Sequence, residues 1–149
     1  MVMLTSELET LIQSVPKDIL ALQNPDFKPN PSKWSKKEIL GHLCDSATMN
    51  HKRFIERLAS NDEIKLELYK QNDWVECNDY QNRYTIEEVL SLWSSLNTRI
   101  VKTIQNTNNE QLKQLQFIVN ENEKVTLEWL FTDYVEHLKH HLRQIFDEK

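Results

Sequence analysis

Three of the five histidines fall within EHLKHHLRQI, residues 136–145, at His137, His140 and His141. Two imidazoles four residues apart on a helix stack on one face and can share a divalent ion. The same spacing serves zinc in H-E-x-x-H helices. On a helix turning ~100° per residue, with His137 set at zero, Leu127, Phe131, Tyr134, Leu138 and Ile145 fall at about 60° to 120° and form the core face. His141, near ~40°, looks inward with His137, whereas His140, near about −60°, lies on the polar side. An H-x-x-x-H pair by itself is more often two hydrogen-bonded core residues than a metal site, and tight binding needs a third ligand. The remaining histidines, His42 and His51, share one helical stretch and face opposite sides of it. The apolar residues Ile39, Leu43, Ala47 and Phe54 centre between them, so periodicity leaves both eligible.

Rigid elements must carry these side chains, and the punctuation of the chain says which. There is one glycine, Gly41, and there are four prolines. That paucity suits long helices and excludes the usual Gly-rich phosphate loops. Ser6 and Glu9, Ser35 and Glu38, and Thr85 and Glu88 each have the spacing of a capping box, in which two side chains satisfy each other's orphan amides. The first helix is expected over residues 6–22, kinked or split at Pro16. Asn24 to Lys33, with three prolines, reads as a loop. The second helix opens at Ser35, with Trp34 placed as a hydrophobic staple, and ends near residues 60–61. Residues 61–84 show no clear period and read as a long, partly ordered crossover loop, with Trp74 and Tyr80 as its anchors or as cover for a site. The third helix runs from Thr85 to Asn106-Thr107-Asn108-Asn109. EQLKQL reads as a short extra turn, FIVNENEKVT as a small hairpin or irregular loop, and the fourth helix as residues 127–147.

Four long helices in 149 residues describe an all-α, four-helix bundle in a single domain, residues 1–149. The formal net charge of −5 and pI near 5.5 give no basic footprint for nucleic acid. No apolar run is long enough to span a membrane, and the N-terminus has no signal-peptide pattern. Cys44 and Cys77 are too few for a disulfide framework, so a cytoplasmic protein with reduced thiols is expected. Cys44 reads as a small helix residue rather than a nucleophile.

KWSKKEILGHLCDSATMNHKRF resembles the second-helix signature of the DinB-like superfamily, W-S-x-x-E-[IV]-[LV]-x-H-[LV]-x-D-S, at Trp34, Ser35, Glu38, Gly41, His42, Asp45 and Ser46. EHLKHHLRQI is similar to its last-helix signature, H-x-x-H-H-x-x-Q-I, and the aromatic segment with Tyr69, Trp74 and Tyr80 looks like the YfiT-like branch of metal-dependent hydrolases. The resemblance implies a bundle of up-down-down-up connectivity with a long crossover between the second and third helices. It also implies a divalent ion, zinc or nickel, held by His42, His137 and His141, which favours His42 over His51. The DinB name comes from DNA-damage induction and implies no DNA binding. A homodimer is the family habit. Three imidazoles with open positions suit a catalytic ion that activates a water or a thiolate.

Around these ligands, Asp45 and Arg53 share the His42 face of the second helix, Asp45 one turn away and Arg53 about 16 Å along the axis. Arg53 is placed to meet an anionic group of a substrate or to pair with a bundle neighbour. On the fourth helix, Asp133 lies one turn before His137 and Tyr134 lies inward of it. No Ser/His/Asp or Cys/His nucleophile system is visible, and the catalytic residues stay open. The first functional expectation is a metal-dependent hydrolase acting on a small molecule. The second is a metal-activated, low-molecular-weight-thiol S-transferase. The third, of another class, is a non-catalytic stress-response or interaction module with a structural or vestigial metal site.

Overall fold

A computed structural model describes residues 2–146. In chain order the elements are α1 (Val2–Leu20), α2 (Lys36–Ala59), α3 (Gln71–Asn78), α4 (Tyr80–Arg83), α5 (Ile86–Gln105), α6 (Asn109–Gln114), β1 (Gln116–Asn120), β2 (Glu123–Thr126) and α7 (Leu127–Phe146). The four long helices are α1, α2, α5 and α7. Asp147, the expected end of the last helix, lies outside the described residues.

Capping chemistry sets where the long helices begin. At α2 the Ser35 hydroxyl accepts from the Glu38 amide at 3.1 Å, and a Glu38 carboxylate oxygen accepts from the Ser35 amide at 3.0 Å. Thr85 and Glu88 do the same for α5, and Asn108 with Gln111 does it for α6. The Ser6–Glu9 expectation is corrected: α1 is already under way at Val2, and the Ser6 carbonyl accepts from the Thr10 hydroxyl inside it. Pro16 does not split α1. A proline forfeits one helical hydrogen bond, and the buried residues Leu8, Val15 and Ile19 on both sides hold the helix to the core.

The bundle is a ring of neighbours. α1 packs on α5, α5 on α2, and α2 on α7, and the Lys139–Glu7 ion pair at 2.8 Å joins α7 back to α1. Trp93, Phe54, Phe131, Leu8, Ile19 and Ile100 fill its centre with under 2% exposure. Side chains of this size each contribute roughly 1.5–3 kcal/mol on burial.

Of the two alternatives for FIVNENEKVT the hairpin is the one that forms: β1 and β2 are antiparallel, with Phe117 paired to Val125 and its ring fully buried, so the all-α expectation is corrected by a small sheet. Arg57 fixes that hairpin to the end of α2 by donating to the Gln116 carbonyl at 2.8 Å. Residues 61–84 are not a loop throughout. Residues 64–66 run beside β1, with Ile118 N donating to the Ile64 carbonyl and Leu66 N to the Ile118 carbonyl, both at 2.9 Å. α3 and α4 follow, joined at Asp79, which sits in the left-handed region at φ 51°. Helices of eight and four residues are too short to print a period in sequence, and their fully buried residues are Val75 and Tyr80. Among the described residues, no helix is long and apolar enough to cross a membrane.

Candidate metal centre

α2 and α7 pack side by side, and that packing brings together the histidines that periodicity could not relate. His42 on α2 and His137 and His141 on α7 each offer a ring nitrogen, and the three nitrogens lie within 4.8 Å of one another. The His42 ring meets His141 at 4.7 Å between centroids and His137 at 5.7 Å, both edge to face. The H-x-x-x-H pair closes the third side at 4.6 Å.

The hydrogen-bond chemistry of this cluster is incomplete in a specific way. His42 is fully buried, and neither of its ring nitrogens has a hydrogen-bond partner. An orphaned buried polar atom costs about 1–3 kcal/mol. His141 Nδ1 lies 2.8 Å from the Gln144 carboxamide oxygen. That oxygen only accepts, so the proton is on Nδ1 and Nε2 carries a lone pair. The lone pair faces His137 Nε2 at 3.2 Å. A buried nitrogen without a partner and a lone pair facing a second imidazole fit a cation that all three rings ligate.

Burial also keeps the rings in their ligating form. Desolvation pushes the His42 pKa down to about 3, helped by the neighbouring His141 and His137. His137 and His141 are lowered as well, again first by burial; nearby Asp133 pulls His137 back up, and the Gln144 contact does so for His141. At neutral pH the rings are therefore neutral without any ion to displace their protons.

Neighbouring side chains tie the cluster in place. Trp34, the staple before α2, lays its ring 5.0 Å from that of His42. Gln144 was legible only as the glutamine of the last-helix motif, yet it holds the His141 tautomer, and its amide nitrogen approaches His140 Nε2 at 3.5 Å. His140 itself is exposed. His51 is outside the cluster, with Nε2 against the Thr103 hydroxyl at 3.2 Å.

The other expected site residues fall in different places. Asp45 is buried, and its Oδ1 accepts from the Tyr80 hydroxyl at 2.6 Å and from Asn78 at 3.1 Å, while Oδ2 is orphaned. Its polar partners thus come from α3 and α4, and burial raises its pKa to about 6 against the pull of these two donors. Tyr134 is buried with its hydroxyl given to Asn97 Oδ1 at 2.6 Å. Asp133 is exposed and lines a cleft that His137 and Arg53 also line. Arg53 has no carboxylate in its hydrogen bonds; it donates to Asn50 Oδ1 at 3.3 Å and to the Glu67 carbonyl. Cys44 is buried, its thiol directed at the Val89 carbonyl and its pKa pushed up by desolvation, which removes it as a nucleophile.

The sequence marks Tyr80 as an anchor or as cover for a site, and does not pair it with Asp45. One signal for the pairing is present: Gly41, the single glycine, stands in the middle of a helix. A β-carbon there would lie 2.2 Å from Tyr80 Cδ2, so the ring needs the bare backbone to reach Asp45.

No curated protein matches the chain at a significant level. Among solved structures it is similar to YfiT from Bacillus subtilis, described as a probable metal-dependent hydrolase with an unusual four-helix bundle topology. The match has a TM-score of 0.78 and 21% sequence identity, over 96% of this chain and 84% of that one. The family model of the DinB superfamily matches residues 4–145. The chain belongs to the DinB superfamily.

Proposed function

We propose that the protein is a divalent-metal-dependent hydrolase of a small molecule, with His42, His137 and His141 as the ligands and zinc or nickel as the ion. The observation that carries this reading is the convergence of three neutral imidazoles, one with both ring nitrogens orphaned in the interior. The description of YfiT as a probable metal-dependent hydrolase supports it. A bound ion would supply Lewis acidity, acidifying a water and polarising a substrate oxygen. The chain's own residues do the positioning. Gln144 holds the His141 proton on Nδ1, Trp34 covers His42, and burial keeps all three rings neutral. With Cys44 buried and its thiol protonated, this reading takes a water from outside the chain as the nucleophile. The family resemblance carries the up-down-down-up order of the long helices, a homodimer and a cytoplasmic setting as parts of the same proposal.

The test is metal content of tag-free protein by elemental mass spectrometry, beside His42→Ala, His141→Ala, His51→Ala and His140→Ala. About one divalent ion per chain is expected, lost in the first two variants and retained in the last two. Retention in His42→Ala would remove the ligand assignment. Loaded protein that turns over esters or amides without added thiol supports hydrolysis; turnover only with an added thiol would move the site to group transfer. No ion after reconstitution with zinc or nickel would leave an interaction module.

A further inference from the structure

A cleft of about 170 Å³ opens beside His137, between α2, α7 and the segment that leads into α3. Its walls include Ser46, Asn50 and Arg53 from α2, Asp133 from α7, and Tyr69. Arg53 is the cation of this cleft. It is half-buried, and the two hydrogen bonds it makes go to neutral oxygens, of Asn50 and of the Glu67 backbone. A guanidinium has five N–H donors in a planar fork, so this one keeps donors for an anion and lacks a counter-charge among its bonded partners. The Tyr69 hydroxyl is buried in the same wall without a well-formed hydrogen bond, although the Ser46 hydroxyl stands near enough to bias it. Asp133 contributes a negative charge to the lining. A single cation, opposed by the Asp133 carboxylate, has charge to balance a monoanion and not a phosphate dianion, and the volume suits a small head group. The planar fork matches a carboxylate.

We propose that this cleft receives a carboxylate end of the substrate, with Arg53 as its counter-ion and the Tyr69 hydroxyl as a further donor, so that the reacting end lies at the three histidines. This rests on the metal-centre reading and adds the substrate class to it.

The test uses the full chain loaded with cobalt(II), whose thiolate absorption band reports binding without turnover. The probes are ω-mercaptocarboxylic acids of about two to five carbons, each beside its neutral amide, spanning the cleft at ~1.3 Å per carbon bond. At one chain length the acid is expected to bind about tenfold tighter than the amide, as a charge-assisted hydrogen bond gives. Arg53→Gln is expected to erase that preference at unchanged cobalt content. Asp133→Asn, on an exposed residue, should raise it by about threefold. If Arg53→Gln fails to fold, Asp133→Asn decides, and an unchanged preference overturns the proposal. Equal binding of acid and amide at every length, with cobalt bound, overturns the carboxylate site and leaves the metal centre standing. Absence of bound cobalt brings down both readings.

Discussion

The aromatic ring of Tyr80 lies against the bare backbone of Gly41, so closely that a β-carbon on Gly41 would stand 2.2 to 2.7 Å from three of its ring carbons. This contact puts the Tyr80 hydroxyl on Asp45 at 2.6 Å, one helical turn from His42. It couples the short helices between α2 and α5 to the helix that carries a candidate ligand.

Gly41→Ala should therefore destabilise the fold by about 1–2 kcal/mol. Overpacking against a ring costs roughly 1–3 kcal/mol, and alanine returns up to ~1 kcal/mol of helix propensity. In a Tyr80→Ala background the clash is gone, and the same substitution should become neutral or stabilising. Urea unfolding of the four proteins in this cycle reads the change of sign; the same penalty in both backgrounds would disprove the contact as its cause.

Asp45 makes stability depend on pH in the direction opposite to most carboxylates. Burial raises its pKa from 3.8 to about 6. Between those values the folded protein binds more protons than the unfolded chain. Its contribution is thus fully present below the unfolded value and is lost as pH rises through about 6, by up to roughly 3 kcal/mol. Asp45→Asn should gain on the parent protein by about that amount between pH 4 and pH 7 in denaturant titrations. Taking the difference cancels the histidines, and a difference that stays flat with pH would place the Asp45 proton wrongly.

The histidines act in the other sense. His42, His137 and His141 have folded-state pKa values below the ordinary 6.5, that of His42 at about 3. The stability tied to their neutral forms is present above 6.5 and lost as pH falls through the depressed values. Metal binding should accordingly release few protons. Three ordinary imidazoles would release about two at pH 6, whereas a smaller count is expected here, because His42 is already deprotonated and burial lowers the other two. Calorimetry of zinc binding in buffers of different ionisation enthalpy counts them, and a count near two would mean that burial does not hold the rings neutral.

Gln144 is expected to matter through His141 alone. Gln144→Leu removes the oxygen that fixes the Nδ1 proton and should weaken metal binding by roughly 10- to 100-fold. The side chain is exposed, so the melting temperature of the metal-free protein should hardly move. Gln144→Glu keeps an acceptor at that place and should restore affinity. Equal affinity in all three proteins would show that the tautomer is set elsewhere.

The features legible in the chain alone were local ones. Ser35 with Glu38 and Thr85 with Glu88 mark helix starts because a capping box closes within four residues. His137 and His141 share a face because one helical turn is 3.6 residues. The family signatures named His42, but periodicity could not separate it from His51, and no local rule says which side of α2 meets α7. Only the packing of those two helices decides that, setting His42 against the α7 pair and His51 against Thr103 on α5. The same holds for Asp45 with Tyr80, 35 residues apart, for Tyr134 with Asn97, 37 residues apart, and for Arg53 across a cleft from Asp133. α3 and α4 were invisible because a helix of eight residues or fewer depends on tertiary contacts, here Val75 and Tyr80 in the core, more than on its own period.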